Sequence, residues 1–244
     1  MRLADFKILT FDCYGTLIDW EAGIWAALQP LLRKRGVAPE RDDALGAFAR
    51  HESAQEAETP GLRYGELLGR VHSRLAAEWG VAPDADADRA FGQSIGDWPA
   101  FADTPAALAY LKGFFKLVVL SNVDRSGFAA SSRRLGVVFD AVYAAEEIGS
   151  YKPDPRNFRY MIDALGPLGH PPSDILHVAQ SLYHDHAPAN ACGLRSAWID
   201  RRQGKGGGAT PPAATGVRWD FRFASLAELA EAHRIEQRGS GARG

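Results

Sequence analysis

The 244-residue sequence is poor in cysteine, since it contains two, Cys13 and Cys192. One pair cannot build a disulfide framework, so a disulfide-rich secreted domain is excluded and a reducing cytoplasm is the expected location. The sequence also lacks an apolar run near the roughly 20 residues that a membrane span needs, and its first residues contain no signal-peptide stretch. We therefore expect a protein without a membrane partner.

An excess of charge of one sign is absent as well, because the formal net charge is −2. That balance provides no basic surface for nucleic acid or for an anionic membrane. The composition is that of an ordinary globular protein, with 46% hydrophobic and 24% charged residues. The length is sufficient for one α/β domain with a smaller insertion.

Short β-branched runs alternate with longer amphipathic stretches, which is the pattern of parallel strands joined by crossover helices. Helices are predicted at about 125–135, 155–165 and 186–192. The fold class is therefore α/β, with a doubly wound, Rossmann-like parallel sheet. Apolar runs typical of buried parallel strands predict five strands, at Lys7–Phe11, Leu117–Leu120, Asp140–Ala144, Ile175–Ala179 and Arg195–Ile199.

About 100 residues separate the first strand from the second, far more than one crossover helix needs. Amphipathic stretches at 25–32 and 67–75 predict helices in this interval. We expect a helical cap at 18–96, inserted into a Rossmann-like core formed by 1–17 and 97–244. A Gly- and Pro-rich loop is predicted from Gly204 to Gly216, and a frayed tail from Gln237 to Gly244.

Polar side chains follow the first four predicted strands. A carboxylate at the carboxyl end of a parallel strand points into the crevice where open α/β sheets bind ligands. Four strand ends thus deliver a carboxylate, a hydroxyl and amide pair, a lysine and a second acid to one edge. These residues are Asp12, followed by Tyr14, Gly15 and Thr16; Ser121 with Asn122; Lys152; and Gln180 with Ser181 and Asp185.

In this order the four segments resemble the four motifs of the haloacid dehalogenase superfamily, over about residues 7–200. The superfamily contains phosphatases, which need Mg²⁺ to bring a carboxylate against a phosphoryl group. Their pattern has an acid two residues after the nucleophile, where this sequence has Tyr14, a phenol with an ordinary pKa of about 10. Their fourth motif has an aspartate where this sequence has the neutral Gln180, so only Asp185 remains.

Halide displacement from carbon needs neither missing group, so the sequence resembles the 2-haloacid dehalogenase branch. The resemblance implies that Asp12 attacks C2 of a small 2-haloalkanoic acid, giving an aspartyl ester that water hydrolyses to a 2-hydroxy acid. Lys152 is expected to stabilise the nucleophile and the developing negative charge, and Asp185 to accept a bond from Lys152 and orient the water. Neither a metal nor another cofactor is expected.

The resemblance also implies the residues that contact the 2-haloacid. Asn122 is expected to donate a hydrogen bond to the halide, and a cap arginine to bind it, with Arg50 as the candidate and Arg63 as its competitor. Phe158 and Ala179 depart from residues that the dehalogenases commonly carry. Dimerisation through the cap is expected by resemblance alone. The predicted substrate-binding residues are Tyr14, Thr16, Ser121, Asn122, Arg50, Gln180 and Ser181.

Two other functions stay open. The first is a phosphatase of a small phosphorylated metabolite that holds Mg²⁺ with Asp12 and Asp185. The second is a catalytically idle scaffold, against which the joint presence of the four strand-end groups argues. A metal site built from His177, His184 and His186 is disfavoured, because the expected hard cation prefers oxygen ligands.

Overall fold

The structure is a computed structural model that describes residues 1–36, 39–205, 208–210 and 215–241. In these ranges, six parallel strands form one sheet in the order β3-β2-β1-β4-β5-β6. All residues of β1 are buried, because helices cover both faces of the sheet. The strands are β1 (Ile8–Phe11), β2 (Lys116–Ser121), β3 (Ala141–Ala144), β4 (Ile175–Ala179), β5 (Arg195–Ile199) and β6 (Phe221–Phe223).

Four helices lie in the chain between β1 and the rest of the core, and we refer to them as the cap: α1 (Trp20–Arg35), α2 (Arg41–Glu58), α3 (Tyr64–Glu78) and α4 (Ala85–Gln93). Helices α3 and α4 approach closely at a pair of glycines, since a β-carbon on Gly92 would lie 2.2 Å from the carbonyl oxygen of Gly65. The boundaries 1–17, 97–244 and 18–96 stay a prediction.

The remaining helices accompany the strands of the core. A π-helical turn at Leu182–His186 follows β4. In the described ranges no helix is long and apolar enough to cross a membrane. The core helices are α5 (Thr104–Leu111), α6 (Arg125–Leu135), α7 (Ala145–Ile148), α8 (Pro155–Leu165), α9 (Ala187–Ala191) and α10 (Leu226–Gly241), with short 3₁₀ turns at Leu3–Asp5, Ser94–Asp97, Gly166–Leu168 and Pro172–Asp174.

The predicted α/β class and parallel sheet are confirmed, and the five predicted strands agree with β1 to β5 within a residue. The prediction missed β6, a three-residue strand at the sheet edge that is only partly buried. The prediction of a frayed tail from Gln237 was wrong as far as Gly241, because α10 continues to that residue. The predicted loop has neither helix nor strand in its described part, whereas 206–207, 211–214 and 242–244 lie outside the described residues.

Candidate active site

Asp12 directly follows β1, at the carboxyl end of a strand in the middle of the sheet. Its backbone amide donates to the carbonyl of Val178 in β4 at 3.1 Å, so it lies where the strand order reverses, the usual ligand crevice of such sheets. The turn that follows requires glycine: Gly15 has a φ of +96°, and a β-carbon there would lie 2.9 Å from Trp20 Nε1. The backbone thus directs Asp12 toward the crevice.

Both oxygens of the Asp12 carboxylate are held. Thr16 Oγ1 donates to Oδ2 at 2.7 Å, and Lys152 Nζ donates to Oδ1 at 2.9 Å. The backbone amide of Gln180 donates to Thr16 Oγ1 at 2.9 Å, which connects the loop after Asp12 to the end of β4. Burial raises the pKa of Asp12, against the opposing effects of Lys152 and Thr16. A poorly solvated carboxylate, oriented from two sides, is suited to act as a nucleophile.

Lys152 links the two acids of the site. Its Nζ donates to Asp12 Oδ1, to Asp185 Oδ1 at 2.7 Å and to the Leu120 carbonyl at 3.0 Å, so all three ammonium protons have partners. The residue is 2% exposed. Burial alone would lower the pKa of Lys152, but the Asp12 and Asp185 carboxylates raise it above its usual value. The lysine therefore stays charged and compensates both carboxylates.

Asp185 lies in the π-helical turn after β4 and is 1% exposed. Its Oδ1 also accepts from His177 Nε2 at 3.1 Å. Burial would raise the pKa of Asp185, but Lys152 and His177 lower it below its ordinary value. Its Oδ2 is buried without a hydrogen-bond partner, and so is Nε2 of the neighbouring His184. Burial lowers the pKa of His184 to about 4, so this imidazole is neutral near pH 7.

A cavity of about 40 Å³ lies over Asp12, and we refer to it as the nucleophile cavity. It brings together most of the site residues predicted from the sequence; Thr16 supports Asp12 from outside the lining. The described residues that line it are Asp12, Tyr14, Trp20, Glu52, Glu56, Tyr64, Ser121, Asn122, Val123, Lys152, Gln180, Ser181, His184, Asp185 and Thr210.

Several predicted substrate-binding groups already have protein partners. Tyr14 OH hydrogen-bonds Ser131 Oγ at 2.9 Å, and burial raises the pKa of its phenol well above the ordinary value. Ser121 Oγ accepts from the Val123 amide at 3.0 Å, which leaves its hydroxyl proton for another acceptor. Gln180 Oε1 accepts from a threonine hydroxyl at 3.1 Å.

Asn122 differs from its expected role as a free halide donor. Its Nδ2 donates to Glu56 Oε1 at 3.0 Å and to the Lys152 carbonyl at 3.2 Å, so both amide protons are used. Its Oδ1 accepts from the Lys152 amide at 2.7 Å. Asn122 therefore holds the backbone of Lys152 in place, and a halide at Nδ2 has to displace Glu56.

The cap arginines predicted to bind the halide are not placed in the nucleophile cavity. The Arg50 side chain is 65% exposed and pairs with Glu78 at 3.1 Å. The Arg63 side chain is 70% exposed and lies 3.7 Å from Glu146. Neither residue is part of the described lining, because each projects from the cap toward solvent.

Two cap acids occupy the place where a cationic group was expected. Glu52 is 3% exposed and accepts a short hydrogen bond from Tyr64 OH. Burial raises the pKa of Glu52 to about 8. Burial also raises the pKa of Glu56 well above its ordinary value, and the nearby charge of Glu52 raises it further. Sequence reasoning missed both acids, although helical spacing places them on the same face of α2 as Leu45 and Phe48, which are buried.

The side chains at the fourth motif do not fit a Mg²⁺ site, which the superfamily's phosphatases require. Mg²⁺ prefers anionic oxygen ligands, yet both Asp12 oxygens and Asp185 Oδ1 accept hydrogen bonds, and Gln180 adds no charge. In the described part of the chain, no group of three or more His, Cys, Asp or Glu side chains is arranged to hold a metal ion. The ring nitrogens of His186 bond Ser196 Oγ and a backbone carbonyl instead.

Comparison with known proteins identifies the family of the chain. The model of the haloacid dehalogenase-like hydrolase family matches residues 6–193, and the chain belongs to this family. It is therefore a hydrolase with the family's fold.

Individual relatives differ in their reactions. The chain is 27% identical over 235 aligned residues to a phosphoserine phosphatase of Thermus thermophilus, which covers 80% of this chain and 89% of the relative. L-2-haloacid dehalogenase from Xanthobacter autotrophicus superimposes with a TM-score of 0.76 at 20% identity, over 94% of this chain and 98% of the other. A magnesium-bound HAD-hydrolase from Bacillus subtilis superimposes with a TM-score of 0.75 at 17% identity, over 96% of this chain and 100% of the other. The structural likenesses establish the fold alone.

Proposed function

We propose that the protein hydrolyses the carbon–halogen bond of small 2-haloalkanoic acids through an aspartyl ester on Asp12. The observation that carries this proposal is the environment of Asp12: it is paired with Lys152, while Tyr14 and Gln180 stand where a phosphatase has acids. A halide leaves carbon without a proton, so neither of those acids is needed. The expected absence of a metal or other cofactor belongs to the same proposal.

In the first step a carboxylate oxygen of Asp12 attacks C2 of the substrate from the side opposite the halogen. The new carbon–oxygen bond forms as the carbon–halogen bond breaks, and its electron pair departs with the halide. Lys152 keeps Asp12 ionised before attack and remains beside the ester, where its charge is preorganised. The substrate carboxylate is bound by the Ser121 hydroxyl and by backbone amides after Asp12.

In the second step water attacks the ester carbonyl carbon of Asp12, not C2 of the substrate. Two cavity atoms are suited to hold that water, because Asp185 Oδ2 and His184 Nε2 are buried without partners. Lys152 and the Thr16 hydroxyl hold the two ester oxygens from which negative charge must be dispersed. As the acyl–oxygen bond of Asp12 breaks, one proton of the water passes to the departing oxygen and the other to solvent, which releases the 2-hydroxy acid and regenerates the Asp12 carboxylate.

The test is halide release from a panel of 2-chloro- and 2-bromoalkanoic acids in the presence of a chelator. We expect turnover that the chelator does not reduce, because the neutral Gln180 stands where a phosphatase has a metal-binding acid. No halide release from any member of the panel, by an enzyme that hydrolyses a phosphate ester, contradicts the proposal.

A phosphatase of a small phosphorylated metabolite is the second candidate, favoured by the similarity to the Thermus phosphoserine phosphatase. The same Asp12 then attacks phosphorus and forms an aspartyl phosphate. Tyr14 argues against it, because a phenol bonded to Ser131 is poorly suited to protonate the leaving alkoxide near neutral pH. Phosphate release that strictly requires added Mg²⁺ decides for this candidate.

A further inference from the structure

Two acids of the cap, Glu52 and Glu56, form one wall of the nucleophile cavity, which we refer to as its roof, and the proposed reaction does not use them. Glu52 and Glu56 lie one turn apart on α2 and both line the cavity that contains Asp12. Their relative exposures are 3% and 8%. Burying a carboxyl group is unfavourable unless a partner compensates it, so a pair of such groups facing the reacting atom indicates a ligand-binding role.

The charges around the cavity show that Glu52 and Glu56 lack a cationic partner. Among its described lining residues Lys152 is the sole lysine or arginine, and it is already shared by Asp12 and Asp185. An ionised Glu52 or Glu56 therefore has no cation of its own. The partners that these two carboxyls do have are the neutral donors Tyr64 and Asn122.

A second observation at the opposite wall points to the same kind of ligand. Asp185 is 1% exposed, and its Oδ2 has no hydrogen-bond partner. A carboxylate oxygen can only accept hydrogen bonds. Acceptors thus face the cavity from α2 above and from the turn after β4 below, an arrangement that suits a ligand rich in hydrogen-bond donors.

We propose that Glu52 and Glu56 bind a protonated amine of the substrate, which makes the preferred substrate a small halogenated acid that also carries an ammonium group. The inference rests on the proposed function, since it takes the cavity over Asp12 as the substrate site. The ammonium supplies the cation that the roof lacks, while the carboxylate end is held by Ser121. A cap that has acids here and no arginine in the described lining selects for this charge.

The protonation of the roof supports the proposal. Burial raises the pKa of Glu52 to about 8, and the groups that face the pair are Tyr64 from α3, Asn122 after β2, and Lys152 from the loop before α8. A bound ammonium favours the ionised carboxylate. An amine that binds in its protonated form therefore displaces a carboxyl proton to solvent, and the binding strengthens as the pH rises toward 8.

Calorimetric binding of two reaction products that differ by one amine provides the test. Isoserine (3-amino-2-hydroxypropanoate) and lactate (2-hydroxypropanoate) are titrated into the whole protein near pH 8. We expect isoserine to bind at least about tenfold more tightly, a ratio that corresponds to one well-placed ion pair. The double variant Glu52→Gln/Glu56→Gln should lose that preference, whereas Glu66→Gln, at an exposed glutamate of α3, should keep it.

Equal affinity of wild type for the two acids, or no detectable isoserine binding, overturns the inference. A preference that survives in the double variant also overturns it, because the discriminating group then lies elsewhere. If the double variant does not fold, the single Glu56→Gln variant is measured, and an unchanged preference there counts against the pair. Glycerate (2,3-dihydroxypropanoate), which has a hydroxyl in place of the amine, should bind no more tightly than lactate, and glycerate that binds as tightly as isoserine overturns the inference.

Turnover separates this inference from the proposed function. Chloride release is measured from 3-amino-2-chloropropanoate and from 2-chloropropanoate, and we expect kcat/KM at least about tenfold higher for the amine. Chloride release at equal rates, without an isoserine preference, retains the dehalogenase and removes the amine site. A strong isoserine preference without chloride release retains the amine site and removes the dehalogenase.

Discussion

Replacement of Glu52 by glutamine should change how the stability of the protein depends on pH. Burial raises the pKa of Glu52 from 4.5 to about 8 in the folded protein. Between these values the unfolded chain has lost the proton that the folded protein keeps, so the free energy of unfolding falls as the pH rises. The stabilising contribution is complete below about pH 4.5 and is lost by the time the pH passes 8.

The size of the effect follows from the pKa shift. One pH unit corresponds to about 1.4 kcal/mol, so the shift from 4.5 to about 8 sets an upper limit of roughly 5 kcal/mol. Local opening that lets Glu52 ionise in water before global unfolding lowers the measured difference below that limit. Glu52→Gln removes this part of the pH dependence, because an amide does not titrate.

Urea unfolding followed by circular dichroism, at about pH 5 and about pH 8.5, measures the difference. Wild type should lose stability over this range by at least about 1 kcal/mol more than Glu52→Gln does. Glu66→Gln, at an exposed position of the same cap, should follow wild type. Parallel losses in wild type and Glu52→Gln would refute the buried, protonated state of this carboxyl group.

Four further predictions concern the nucleophile and the groups around it. Asp12→Asn should lower turnover by more than about a thousandfold with an unchanged circular dichroism spectrum, since an amide cannot form the ester; residual turnover above that level argues against a covalent role. Lys152→Met leaves two buried carboxylates without a cation and should reduce the free energy of unfolding by about 3–5 kcal/mol, and Lys152→Met/Asp185→Asn should recover part of that loss in urea unfolding. His184→Asn should slow ester hydrolysis more than halide release, so that rapid-quench mass spectrometry finds the ester accumulated; an unchanged ratio of the two rates excludes His184 from holding the water. The acid limb of the pH–rate profile should lie above the pH expected for an exposed aspartate, because burial raises the pKa of Asp12.

The parallel core could be predicted because its strands have both faces buried. Continuous apolar runs such as Leu117–Leu120 have few alternatives to a buried strand, and polar residues at their carboxyl ends necessarily meet at one edge of the sheet. That topology explains why the side chains of Asp12, Lys152 and Asp185 lie in contact. By contrast, β6 is too short and too exposed to leave such a pattern.

The roof of the site could not be predicted on the same grounds. An acid on a helix normally indicates a solvated face, and only the positions of Leu45 and Phe48 one and two turns earlier show that Glu52 faces inward. The choice of Arg50 had no support from helical spacing, and the structure places it in solvent. The free Nε2 of His184 depends on a π-helical turn, which sequence periodicity does not reveal.

The central claim, a covalent ester on Asp12, is tested most directly by a single turnover in heavy-oxygen water with enzyme in excess over a 2-haloacid. Water attacks the side-chain carbonyl of Asp12 in the proposed mechanism, so mass spectrometry should find the label in the peptide that contains Asp12. The first product molecule should be unlabelled, because its hydroxyl oxygen comes from the enzyme. Label in the 2-hydroxy acid and none in Asp12 would contradict the claim, since water would then have attacked the substrate directly with Asp12 as its general base.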